Sequence, residues 1–138
     1  MHRVLLAEDN KINQVVAAGV LKKLGYEVDI VVDGEAAVEA CSAHEYAAVL
    51  MDVMMPNVDG YQATGLIRDF ERKRRLRPIP IIGLSARAMT GDRDIALEAG
   101  MNDYLTKPLR TADLQTALDR WIVPMPAAAP VLVAVEEA

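Results

Sequence analysis

The sequence predicts an α/β fold, with one parallel sheet covered by helices on both faces. Short apolar runs alternate with segments of helical apolar spacing along nearly the whole chain, the order that builds a doubly wound sheet. Runs such as Ala47-Ala48-Val49-Leu50-Met51 are apolar at every position, as strands buried on both faces of a parallel sheet are. At 138 residues the chain has the length of one domain with a full core.

Arg3-Val4-Leu5-Leu6-Ala7 is the first strand and runs into Glu8-Asp9-Asn10. Asn10 can cap a helix over 11–24 that Gly25 closes. Val16, Ala17, Val20, Leu21 and Leu24 form the stripe expected to face the sheet. Ile12, Val15 and Gly19 fall on another side, where core packing does not explain them. Residues 26–31 alternate as a half-buried strand, Asp33-Gly34 turns the chain, and Asp33 suits the N-cap of a helix over 35–43.

The apolar run over 47–51 ends in Asp52. After Pro56, Asn57-Val58-Asp59-Gly60 supplies turn chemistry and leads into a helix over 61–73. Residues 79–84 form a fourth strand ending at Ser85. Thr90-Gly91-Asp92 opens a helix that Gly100 closes. Residues 103–106 are a short fifth strand running into Lys107-Pro108. A last helix over 111–122 carries Leu114, Leu118 and Trp121 at core spacing. Residues 1–123 thus form the folded domain. Pro124, Pro126 and Pro130 among alanines mark 124–138 as a tail or linker. Within it, 131–135 is apolar enough to pack in cis or on a neighbouring molecule.

Composition narrows the function. A net charge of −5 argues against general nucleic-acid binding. The basic run Arg72-Lys73-Arg74-Arg75 with Arg77 lies at a helix C-terminus, where it complements the macrodipole, and no aromatics are interleaved. Cys41 is the single cysteine, which leaves no disulfide framework and fits a small helix-face hydrophobe in a reducing compartment. No apolar run reaches membrane-spanning length and the N-terminus lacks a signal-peptide layout, so a cytoplasmic module is expected. His2 and His44 take no role.

The chemistry lies at the strand ends. Glu8-Asp9, Asp52, Ser85 and Lys107 each follow an apolar run, and in a doubly wound fold the carboxyl ends of the strands converge on one rim where ligands bind. Carboxylates brought together repel, so a proton or a cation must hold them. An all-oxygen set without histidine or cysteine suits Mg²⁺. Lys107 adds a fixed positive charge and Ser85 a hydroxyl. Together these groups form a trap for a phosphoryl group, with Asp52 placed to attack in line.

Four motifs carry a family resemblance: Leu6-Ala7-Glu8-Asp9-Asn10-Lys11-Ile12-Asn13-Gln14, Met51-Asp52-Val53-Met54-Met55-Pro56 with Asp59-Gly60, Gly83-Leu84-Ser85-Ala86, and Gly100-Met101-Asn102-Asp103-Tyr104-Leu105-Thr106-Lys107-Pro108. In this order the chain resembles a response-regulator receiver domain of two-component signalling. The resemblance implies a flavodoxin-like (βα)5 fold with strand order 2-1-3-4-5, for which this family is among the standard examples. It implies that Asp52 is the phosphoacceptor, taking its phosphoryl group from a partner's phosphohistidine. Glu8, Asp9, Asp52 and the backbone carbonyl of Met54 would hold Mg²⁺ (or Mn²⁺); Glu8 is one methylene longer than Asp, so direct and water-mediated binding both fit. Ser85 and Lys107 would bind the phosphoryl group, Ser85 and Tyr104 would act as the switch pair, and the Lys107–Pro108 peptide would be cis. Arg87, two residues past Ser85, would modulate dephosphorylation through water access.

Ile12, Val15 and Gly19 have the spacing of a helix-docking face, with Gly19 allowing close approach. The partner expected there is a helical-bundle histidine kinase or histidine phosphotransfer domain. A homodimer is possible, and neither nucleic acid nor membrane is a direct partner. The Glu8-Asp9-Asn10-x-x-Asn13 wording resembles receivers of hybrid sensor kinases and phosphorelays, with a stand-alone single-domain regulator as the alternative. In either case the chain is not an enzyme by itself, although it promotes its own phosphorylation and dephosphorylation. In a hybrid protein the kinase activity would lie in another domain. Two other classes fit less well. An aspartyl-nucleophile phosphohydrolase normally needs an Asp two residues after its nucleophile, where this chain has Met54. A flavin or nucleotide module needs a Gly-rich loop after its first strand, where this chain has two carboxylates.

Overall fold

The structure, a computed structural model, describes residues 2–86 and 91–122. The elements run β1 (Arg3–Ala7), α1 (Lys11–Lys23), β2 (Glu27–Val31), α2 (Gly34–Ala43), β3 (Ala48–Asp52), α3 (Gly60–Arg74), β4 (Ile81–Ser85), α4 (Asp92–Ala99), β5 (Asp103–Thr106) and α5 (Thr111–Trp121). All neighbouring strands pair in parallel, in the order β2-β1-β3-β4-β5. This is the expected flavodoxin-like (βα)5 topology.

Alternation of side chains along the strands sorts the core into two layers. Val4, Leu6, Leu50, Ile82 and Leu84 pack against α1 and α5, with Leu21, Leu114 and Leu118. Leu5, Ala7, Val49, Met51 and Ile81 face α2, α3 and α4, with Ala37, Ile67 and Ala96. β3 is buried at every position, as its unbroken apolar run requires.

Local chemistry sets most boundaries. Asn10, Asp33 and Asp59 each accept a hydrogen bond from a first-turn amide, and Asp59 forms a full capping box with Gln62. Gly25 and Gly100 end α1 and α4 at φ 96° and 109°, a conformation glycine enters without strain. Arg72, Lys73 and Arg74 occupy the last turn of α3, where they complement the negative end of its dipole.

Several expectations are corrected. β4 begins at Ile81 rather than at residue 79, because the Ile79 amide donates to the buried Glu71 carboxylate at 2.8 Å and Pro80 has no N–H to pair. α3 starts at Gly60, directly after its cap, and extends to Arg74. On α1, Val16 is 44% exposed, while Ala17, Ala18 and Leu21 are buried. The stripe leans toward Ala18, which leaves Val16 on the outer shoulder beside Val15. Arg68 ties α3 to the α4–β5 corner, with Nε donating to the Gly100 carbonyl at 3.0 Å, Nη2 to Asn102 at 2.8 Å and Nη1 to Glu71 at 2.8 Å. Thr90, Arg87 and the tail assigned to 124–138 lie outside the described residues. Among the described residues no helix is long and apolar enough to cross a membrane.

Candidate functional site

Parallel pairing places the carboxyl ends of β1, β3, β4 and β5 on one rim. Asp52 is the last residue of β3, opposite Leu84, and Ser85 is the last of β4, opposite Thr106. Glu8 and Asp9 follow β1, and Lys107 follows β5. The chain thus brings Glu8, Asp9, Asp52, Ser85 and Lys107 to the same end of the sheet. Glu8, Asp52 and Ser85 are buried, while Asp9 is exposed.

The Lys107 ammonium lies between two carboxylates, 2.7 Å from Glu8 Oε1 and 3.0 Å from Asp52 Oδ2. The Met54 amide donates to Asp52 Oδ1 at 3.1 Å, and the Asn10 amide donates to Glu8 Oε2 at 3.1 Å. Burial raises the Asp52 pKa to about 6, and the adjoining Glu8 carboxylate adds to the rise against the opposing pull of Lys107 and the Met54 amide. Burial alone would raise Glu8 as well. Hydrogen bonds with Asp52, Lys107 and the Asn10 amide outweigh it, and its pKa is lowered. Lys107 is raised, because its bonds to Glu8 and Asp52 overcome its own desolvation.

Glu8, Asp9 and Asp52 offer carboxylate oxygens that all lie within 4.8 Å of one another. The donor set is all oxygen, and burial together with the adjoining Glu8 carboxylate inclines Asp52 toward its protonated form. Lys107 already places one cation against two of the carboxylates. These residues fit a hard divalent cation such as Mg²⁺. Met54 is exposed, and its backbone amide is tied to the Asp52 carboxylate.

Close backbone approaches bracket the loop after Asp52. Gly60 lies so close to β3 that a Cβ there would stand 2.3 Å from the Asp52 carbonyl oxygen. Across the loop the Gly34 amide donates to the Val58 carbonyl at 3.1 Å, and a Cβ on Gly34 would stand 2.1 Å from that oxygen. Opposite, the Lys107 amide donates to the Ser85 carbonyl at 2.7 Å, and the Lys107–Pro108 peptide is cis.

Tyr104 is buried in the layer under α3 and α4 rather than on the rim. Its ring has room because β4 carries Gly83 beside it. Ile12 and Val15 are 74% and 65% exposed on α1, and Gly19 is exposed on the same helix. Val16 widens that face.

Asp103 and Gln14 hold polar arrangements that local sequence patterning does not reveal. Asp103 is a buried carboxylate that accepts from Arg93, Arg120, the Trp121 indole and the Tyr104 amide. Burial would raise its pKa, but those donors and charges lower it. Gln14 donates from its carboxamide to the Glu8 carbonyl at 2.7 Å. No spacing rule marks either one: the side-chain partners of Asp103 lie on two different helices, and Gln14 answers a backbone atom.

Comparison with known proteins agrees with this geometry. Residues 4–119 match the family model described as the response regulator receiver domain. The sensor protein GacS of Pseudomonas syringae pv. syringae is 41% identical over 119 residues, covering 86% of this chain but 13% of that protein. The chain therefore corresponds to a small part of such relatives. Among solved structures, the receiver domain of sensor histidine kinase PA1611 from Pseudomonas aeruginosa PAO1, with magnesium coordinated in its active site cleft, aligns with a TM-score of 0.78 and 50% identity, covering 88% of this chain and 97% of that one. The receiver domain of Saccharomyces cerevisiae Ssk1, crystallised with the histidine phosphotransfer protein Ypd1, aligns with a TM-score of 0.82 and 31% identity, covering 88% of each chain. The shared fold, the acidic rim and a family match over most of its length lead to one conclusion: the chain belongs to the response regulator receiver domain family.

Proposed function

We propose that Asp52 accepts a phosphoryl group from a phosphohistidine on a partner protein, within a two-component relay. One Asp52 oxygen forms the new bond to phosphorus as the P–N bond breaks, and the departing imidazole takes up a proton. The product is an acyl phosphate, which water later cleaves to regenerate the carboxylate. The observation that carries this reading is the convergence of Lys107 on Asp52 and Glu8 inside the three-carboxylate cluster.

Glu8, Asp9, Asp52 and the Met54 carbonyl would hold Mg²⁺ or Mn²⁺, which would neutralise charge on the reacting phosphoryl oxygens. Lys107 then binds a phosphoryl oxygen, and the Ser85 hydroxyl donates to another. Tyr104, on the strand beside Ser85, is the second half of the switch. Its ring would turn inward into the space that Ser85 vacates.

The face of Ile12, Val15 and Gly19 beside the rim is the docking site for the helical donor. The Ssk1 receiver, crystallised with a histidine phosphotransfer protein, supports a partner of that class. The match to a small part of the sensor protein GacS favours a place inside a larger signalling protein, where another domain would supply the kinase activity. The setting would be cytoplasmic. A purified histidine phosphotransfer domain carrying labelled phosphohistidine tests the reading. The label should pass to the parent chain and not to Asp52→Asn. Equal transfer to both would refute it.

A further inference from the structure

We infer that Gln14 is a positioning residue for the metal pocket, through which α1 sets the geometry of Glu8 and Asp9. The inference rests on the reading of Glu8, Asp9 and Asp52 as a cation site. β1 leaves the sheet at Ala7, the last residue paired with both β2 and β3. The Glu8 amide still reaches the Val31 carbonyl at 3.0 Å, but the Glu8 carbonyl lies beyond the ladder. A backbone acceptor at that depth needs a donor. The Gln14 carboxamide supplies one at 2.7 Å, from the first turn and a half of α1.

Glu8 is thereby held at each polar group. Its amide is fixed by β2, its carbonyl by α1, and its carboxylate by Lys107 and the Asn10 amide. Removing the Gln14 bond frees the peptide that joins Glu8 to Asp9, the two carboxylates that must meet one ion. Groups that orient metal ligands typically contribute 10-fold or more to affinity. Gln14 also precedes Val15 on α1, so a helix pressed on Ile12 and Val15 would load the same turn that holds Glu8.

Isothermal titration of the full chain with Mg²⁺ tests this, together with amide hydrogen exchange in the metal-free protein. Gln14→Met keeps length and loses the donor; Gln14→Lys keeps a donor. The expected result is roughly 10-fold weaker Mg²⁺ binding by the Met variant, with affinity near the parent's for the Lys variant. Exchange should quicken at residues 8–10 in the Met variant and hardly elsewhere. A Met variant that binds like the parent, a Lys variant weakened as much as Met, or exchange raised throughout the domain would each overturn the inference. A parent chain that binds no Mg²⁺ would instead remove the metal-site reading, and this inference with it.

Discussion

Lys107 and Asp52 stand 55 residues apart in the chain and 3.0 Å apart in space. The ion pair joins the ends of two strands that are not neighbours, since β4 lies between β3 and β5. Lys107 also binds Glu8 across the same notch, so one ammonium is shared by two buried carboxylates.

Removing that ammonium should cost stability. Lys107→Met leaves Glu8 and Asp52 facing each other without a counter-charge. Breaking a buried pair from one side costs about 3 kcal/mol, and urea unfolding of the metal-free protein should show a loss of that order. Saturating Mg²⁺ should recover part of it. A variant as stable as the parent without metal would show that the notch does not need its cation.

The pH dependence follows from Asp52. Its folded pKa of about 6 lies above the ordinary value of 3.8, so its charge costs the native state above that range. The metal-free protein should become more stable as pH falls from about 6 toward 4.5. Glu8, lowered in the fold, acts in the opposite sense but only below its ordinary 4.5. Mg²⁺ affinity should weaken over the same fall, because protons compete for Asp52. Thermal unfolding of the parent beside Asp52→Asn measures the first effect. Profiles with equal slopes would contradict the assignment.

Gly83 makes the space that Tyr104 occupies. A Cβ at that position would stand 2.6 Å from the Met101 sulfur and 3.3 Å from the Tyr104 ring. Gly83→Ala should cost about 1–3 kcal/mol through overpacking. The same change should cost less in a Met101→Val background, where the sulfur is gone. Equal costs in the two backgrounds would show that the layer relaxes around the methyl group.

Charging the α1 face should separate docking from chemistry. Ile12→Glu with Val15→Glu alters two exposed positions and should leave the unfolding temperature close to the parent's. Transfer from a histidine phosphotransfer domain should fall roughly 10-fold or more, as loss of interface anchors does. Labelling by a small phosphodonor should be unaffected. Undiminished transfer would place the docking face elsewhere.

What the chain makes legible follows the range of each interaction. Asn10, Asp33 and Asp59 cap helices through amides three residues away, so their roles stand in the sequence. Gly25 and Gly100 are equally local. The convergence of Glu8, Asp9, Asp52 and Lys107 needs a parallel sheet, which apolar patterning supplies, and a strand order, which the family resemblance supplies. Val16 was misplaced because a stripe defined by spacing alone has no sharp edge, and a lean of the helix decides the shoulder positions. The start of β4 was misplaced because Ile79 is as apolar as Ile81, while its amide goes to Glu71. Asp103 and Gln14 were invisible because their partners are set by packing of α4, α5 and α1 on the sheet.

The central claim is that Asp52 carries the phosphoryl group. Incubation with acetyl phosphate and Mg²⁺, followed by intact-mass measurement, tests it without any partner. The parent should gain the mass of one phosphoryl group, and it should not do so with the metal chelated or with Asn at position 52. An Asp52→Asn variant that gains the same mass as the parent would contradict the account.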